Sequence, residues 1–124
     1  MVYSNIFKDH LTNPRNVGEL SDATIVVEES NPVCGDRLRL SLVIENGRIE
    51  TARFLAYGCP PTLVSGSMLT EMLIDKTLQN AAAITKADLI EAIGGLPVRK
   101  HHAAALAIEV LTSALKGINE GRPS

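Results

Sequence analysis

The stretch Arg37-Leu38-Arg39-Leu40-Ser41-Leu42-Val43-Ile44-Glu45-Asn46-Gly47-Arg48-Ile49 decides the fold. Leu38, Leu40, Leu42 and Ile44 alternate with Arg37, Arg39 and Ser41, the period of a strand with one buried face. Asn46-Gly47 is a strong hairpin signal, and Ile49 to Ala56 returns as the partner strand. Two registers compete. A two-residue loop sets Leu40 opposite Arg53, Leu42 opposite Thr51, and Cys34 opposite Cys59. A three-residue loop pairs Leu38 with Ala56, Leu40 with Phe54 and Leu42 with Ala52. Only the second buries a continuous apolar face, so it is the expected register. Cys34 then sits one position off Cys59, near enough to share a metal. Asp36 lies two residues from Cys34, so an extended chain points both side chains the same way.

Outward from the hairpin, Tyr3 to Thr12 reads as a short helix ended by Asn13-Pro14, with Ile6, Phe7 and Leu11 near one face. His10, late in that helix, reads as solvent-facing. Thr24 to Val27 reads as a strand. The second half is helical. Pro60-Pro61 opens a segment to about Ile74, and Thr77 to Ala83 forms a short helix. Thr85 caps Lys86 to Ile93 with Asp88 as its capping-box partner, and Gly94-Gly95 stops that helix. His102 to Asn119 carries Ala104, Ile108, Leu111, Leu115 and Ile118 at helical spacing. Glu71 and Asp75, one turn apart, read as an exposed acidic face, and Gly121 to Ser124 as a frayed tail. The fold class is α+β, a small antiparallel sheet packed against a helical second half.

The chain's 124 residues make one domain, residues 1–124. At 45% hydrophobic but 3% aromatic and no Trp, the core must be built from Leu, Ile, Val and Ala. A formal net charge of −2 and few aromatics argue against nucleic-acid binding. No apolar run is long enough to span a bilayer, and Met1 to His10 has no secretory pattern. The expected compartment is the cytoplasm, where two cysteines are better read as free thiols or metal ligands than as a disulfide.

Both cysteines, a carboxylate and two of the three histidines fall in three short stretches. These are Asn31-Pro32-Val33-Cys34-Gly35-Asp36, Tyr57-Gly58-Cys59 and Lys100-His101-His102. Thiolate, imidazole and carboxylate are common transition-metal ligands. Cys59 precedes the helix opened by Pro60-Pro61, where free N–H groups and the dipole favour thiolate. His102 begins the last helix, whose positive end favours neutral, ligating imidazole. His101 falls near the buried face and His102 away from it, so His102 is the better ligand candidate.

In order along the chain, these pieces resemble the NifU/IscU-type iron–sulfur cluster assembly scaffold family. The resemblance begins at His10-Leu11-Thr12-Asn13-Pro14-Arg15-Asn16-Val17-Gly18. It continues through Cys34-Gly35-Asp36, the hairpin with Ala52-Arg53-Phe54, Tyr57-Gly58-Cys59, and Ser65, Ser67, Thr70 and Glu71. After Lys76-Thr77-Leu78 it ends in Pro97-Val98-Arg99-Lys100-His101-His102 and the final helix. It implies a three-stranded sheet with helices. It also implies that Cys34, Asp36, Cys59 and a residue on the last helix hold a nascent [2Fe–2S] cluster or a zinc ion. The implied partners are a cysteine desulfurase and the apo iron–sulfur acceptor proteins that receive the cluster.

This chain departs from that pattern in places. His102 stands where the family has its third cysteine. Pro60 replaces the glycine after the second. Gly95-Leu96-Pro97-Val98-Arg99 has one proline fewer than the family's chaperone-recognition motif, which makes recognition by the dedicated chaperone doubtful.

The leading expectation is a scaffold and carrier rather than an enzyme. It would bind a labile cluster through Cys34, Asp36, Cys59 and His102, with Cys59 or Cys34 accepting sulfur. Histidine can replace thiolate on iron. The alternatives are a zinc-binding sulfur-transfer protein and a divergent interaction module that no longer assembles clusters. Two chains could bridge one cluster, so a homo-oligomer stays open.

Overall fold

The structure, a computed structural model, describes residues 3–32 and 35–119. Cys34 and the tail from residue 120 therefore lie outside the described residues. In chain order the elements are α1 (Asn5–Thr12), β1 (Ile25–Asn31), β2 (Asp36–Glu45), β3 (Arg48–Tyr57) and α2 (Pro60–Leu73). Then come α3 (Leu78–Ala82), α4 (Lys86–Ile93), a 3-10 turn (Val98–Lys100) and α5 (His101–Asn119). The three strands form one antiparallel sheet in the order β1-β2-β3.

Both competing hairpin registers are present, at different depths. At the tip, Asn46 and Gly47 have φ 54° and 74°, so the loop has two residues in a left-handed turn. Glu45 pairs with Arg48 and Ile44 with Ile49. The register then shifts between Val43 and Ile44, leaving Glu50 as the extra residue of a bulge. Beyond it Leu42 meets Ala52, Leu40 meets Phe54 and Leu38 meets Ala56. The expected apolar pairing is therefore correct, but the three-residue loop is not. Asn-Gly imposes the tight turn, burial of one face imposes the other register, and the bulge at exposed Glu50 reconciles them. Continued one step past Arg37 and Tyr57, this register sets Asp36 opposite Gly58.

Helices α2 and α5 cover the inner sheet face, and Leu38, Leu40, Leu42, Ala52 and Phe54 are all at most 1% exposed beneath them. Each fully buried large apolar side chain contributes about 1.5–3 kcal/mol. α2 comes so close to β3 that a Cβ on Gly66 would lie 2.6 Å from the Phe54 ring. The outer edge of β3 is closed twice. Gly18 N–H donates to Phe54 O and Phe54 N–H to Asn16 O, and the chain after α2 bonds to Ile49 through Asp75 and Lys76. Unpaired strand edges invite association, and these segments cover this one.

The reading of His10 as solvent-facing is overturned: it is 3% exposed. α1 packs on α2, and Phe7 and His10, one turn apart, both face inward. His10 Nδ1 lies 2.7 Å from Ser67 Oγ, and its Nε2 lies 3.0 Å from Glu71 Oε1. Arg15 N–H donates to the same Ser67 oxygen at 2.9 Å. Glu71 Oε1 can only accept, which places the imidazole proton on Nε2, and the neutral Nδ1 then accepts from the Ser67 hydroxyl. Burial first, and then the nearby Arg15 guanidinium, hold His10 below its ordinary pKa, while Glu71 and Asp9 oppose them. Glu71 is accordingly a partner of His10 rather than part of a free acidic face. Asp75 lies beyond the end of α2 at φ 73°.

Candidate metal centre

The site forms where the open end of the hairpin meets the first turns of α2 and α5. Asp36, first residue of β2, is 1% exposed. Its Oδ1 accepts the Cys59 N–H at 3.1 Å. Its Oδ2 lies 3.2 Å from His102 Nε2 and 3.9 Å from Cys59 Sγ. Cys59 Sγ is also 3.9 Å from His102 Nε2. One donor atom each from Asp36, Cys59 and His102 thus falls within a 4.8 Å span. Of the four residues expected as ligands, the structure brings these three together. The fourth, Cys34, lies outside the described residues.

Local structure explains the convergence. Gly58, at φ +133°, occupies backbone that side chains rarely adopt. A Cβ there would lie 1.9 Å from Asp36 Oδ1, so the carboxylate rests directly on this glycine. Cys59 is the N-cap of α2 in extended conformation, which turns its side chain back toward β2. His102 sits at the start of α5, and its Nδ1–H donates to Arg99 O at 3.1 Å. That bond leaves Nε2 directed into the site, the usual arrangement of a ligating histidine whose other nitrogen is anchored. The contact between Nε2 and Asp36 Oδ2 then requires one proton between two acceptors, a place a cation would take. His101 and His102 are both half-buried, so burial does not separate them as expected; what does is their partners, with His101 Nε2 3.0 Å from Leu96 O, outside the site.

The donor set fits a metal. It offers one thiolate sulfur, one imidazole nitrogen and one carboxylate oxygen at compatible distances, the chemistry of zinc and of iron–sulfur ligation. Beside it, a cleft of about 260 Å³ runs from His102 along Ala105 and Glu109 to Ser30 and Pro32.

Three supporting groups were not read from the sequence: Gly58 as the seat of Asp36, the Arg99 carbonyl as the anchor of His102, and Thr62 beside the sulfur. Gly58 was discoverable, because the apolar register already opposes it to Asp36. A carbonyl anchor leaves no sequence signal. The expectation that backbone N–H groups greet the Cys59 thiolate needs correction. Pro60 and Pro61 have no N–H, and the Thr62 N–H is bonded to Cys59 O at 3.0 Å.

Comparison with known proteins agrees with this architecture. The model of the NifU-like N terminal domain matches residues 2–122. The iron-sulfur cluster assembly scaffold protein IscU of Aquifex aeolicus is 42% identical over 116 residues, covering 92% of this chain and 74% of that protein. The zinc-dependent sulfurtransferase SufU of Bacillus subtilis is 39% identical over 85 residues, covering 68% of this chain and 57% of that protein. The crystal structure of a NifU-like protein (N-terminal) from Brucella abortus superposes with TM-score 0.76 over 96% of this chain and 95% of that one. At 15% identity it speaks for the fold alone. Among the described residues, no helix is long and apolar enough to cross a membrane. With a family match over nearly its whole length and a fold to suit, this chain belongs to the NifU-like N terminal domain family.

Proposed function

We propose that this chain is a scaffold on which a labile [2Fe–2S] cluster is assembled and from which it is handed on, with residues 1–124 acting as one unit. The observation that carries the reading is the convergence of Asp36, Cys59 and His102 donor atoms within 4.8 Å. The cluster is cargo, and Cys34, Asp36, Cys59 and His102 are its ligands. A mixed set with one carboxylate and one imidazole holds a cluster less firmly than four thiolates, which suits a donor. The sulfur comes from a cysteine desulfurase. The Cys59 thiolate, or Cys34 in its place, attacks the outer sulfur of the desulfurase persulfide. The S–S bond breaks, the desulfurase cysteine leaves as thiolate, and the scaffold cysteine carries the persulfide. The chain is therefore a carrier, and it works in the cytoplasm, where its thiols stay reduced. Its acceptors are apo iron–sulfur proteins.

A second reading, zinc-dependent sulfur transfer, is favoured by the donor set itself. One sulfur, one nitrogen and one carboxylate oxygen, with Cys34 as fourth ligand, satisfy tetrahedral zinc. Anaerobic purification followed by reconstitution with iron and sulfide separates the two. Visible charge-transfer absorbance with about two irons per chain is expected for the scaffold. A colourless protein holding one tight zinc would sink the scaffold reading in favour of the second. His102→Ala should reduce metal loading in either case, and unchanged loading would remove His102 from the ligand set.

A further inference from the structure

The turn that presents Cys59 lacks the donors such a turn normally offers. In most helices the N-cap side chain meets backbone N–H groups of the first turn. Here the first two positions of α2 are Pro60 and Pro61, which have none, and the third N–H, from Thr62, is spent on Cys59 O. The Cys59 N–H is itself committed to Asp36 Oδ1. No backbone N–H of this turn is left for the sulfur.

A side chain takes that place. Thr62 is fully buried, at 0% exposure, and its Oγ1 lies 3.4 Å from Cys59 Sγ. A buried hydroxyl needs a partner. Among the described residues the sulfur is the group within hydrogen-bond reach of Thr62 Oγ1. A thiolate on a metal can only accept, so the proton must come from the hydroxyl. The geometry points to Thr62 as a positioning residue that donates a hydrogen bond to the Cys59 sulfur and lowers its electron donation to a bound metal. Hydrogen bonds to ligating sulfurs raise the reduction potential of a cluster and shift electron density off the thiolate. Thr62 thereby supplies by side chain what the two prolines remove from the backbone. This inference rests on Cys59 being a metal ligand.

Cobalt(II) bound to the full chain in place of zinc provides the test, because its thiolate-to-metal charge-transfer band reports sulfur donation without any activity assay. Thr62→Val keeps the shape and loses the hydroxyl, while Thr62→Ser keeps the hydroxyl. The expected result is a charge-transfer band moved to lower energy in Thr62→Val and unmoved in Thr62→Ser. The reconstituted cluster should also show a lower reduction potential in Thr62→Val alone. Equal spectra for all three proteins, or equal shifts in Val and Ser, would overturn the inference. Cys59→Ser separates the layers. If it leaves the cobalt band intact, Cys59 is not a ligand and both readings fail. If it removes the Cys59 share of the band, leaving that of Cys34, while Thr62→Val leaves the wild-type band unmoved, only the role of Thr62 fails.

Discussion

Gly58→Ala is the sharpest perturbation of the candidate centre, because its size can be worked from contacts. The added Cβ would lie 1.9 Å from Asp36 Oδ1, 2.8 Å from Asp36 Cγ and 3.0 Å from Asp36 Cα. Ordinary van der Waals contact begins near 3.4 Å, so the carboxylate oxygen must retreat by about 1.5 Å. Asp36 is a 1% exposed side chain whose backbone is held in β2, so it cannot simply swing into solvent. Two costs follow. An alanine at φ +133° carries about 1–3 kcal/mol of backbone strain. The charge-assisted bond from Cys59 N–H, 3.1 Å long, contributes about 1.5–3 kcal/mol, and its donor would be left unpaired. A destabilisation of about 3 kcal/mol lowers Tm by roughly 10 °C for a domain of this size. Displacement also moves Oδ2 from its 3.2 Å contact with His102, so zinc affinity should fall about 10–100-fold. Thermal unfolding of the metal-free protein and competition with a zinc chelator measure the two effects. In the double variant with Asp36→Ala the clash term disappears, so the combined loss should be smaller than the sum of the single ones. A Gly58→Ala protein with wild-type Tm and wild-type zinc affinity would refute the claim that the carboxylate is seated on this glycine.

Three other outcomes are expected. His10 is held below its ordinary pKa in the folded state, so the unfolded chain takes up the proton first on acidification. Its contribution to stability is complete above about pH 6.5 and is lost as pH falls from there through the folded-state value. Tm should drop more steeply over that range in wild type than in His10→Gln, and parallel curves would contradict the buried neutral imidazole. Gly66→Ala would place a Cβ 2.6 Å from Phe54 Cδ2 and 3.1 Å from Leu38 Cδ1, an overpacking cost of about 1–3 kcal/mol readable by urea denaturation. Thr85→Ala removes one side of a capping box in which Thr85 Oγ1 accepts from Asp88 N–H at 3.1 Å. It should cost about 1 kcal/mol in the same assay, and no change in the denaturation midpoint would show the cap to be idle.

The elements were legible because their signals are local. Alternation from Leu38 to Ile44, Asn46-Gly47 at the tip, and Thr85, Asp88 and Gly94 around α4 each depend on neighbours within four residues, and all appear where expected. So does the grouping of Asp36, Cys59 and His102, whereas the helix-face separation of His102 from His101 does not, both being half-buried. Where several preferences had to be met at once, the tertiary structure decided. The hairpin kept both its tight turn and its apolar register only by a bulge at Glu50, because a local turn preference and a sheet-wide burial requirement cannot share one register. His10 turned inward because α2 supplied Ser67 and Glu71, partners more than fifty residues away that no local pattern encodes. Asp36 found its place through a glycine just past the neighbouring strand, and the Cys59 sulfur through a hydroxyl one helical turn along. The sequence by itself determined which chemical groups are available and which segments carry them. Their distances, burial and protonation came from long-range packing, because only closing the hairpin against α2 and α5 brings residues 36, 59 and 102 to one point.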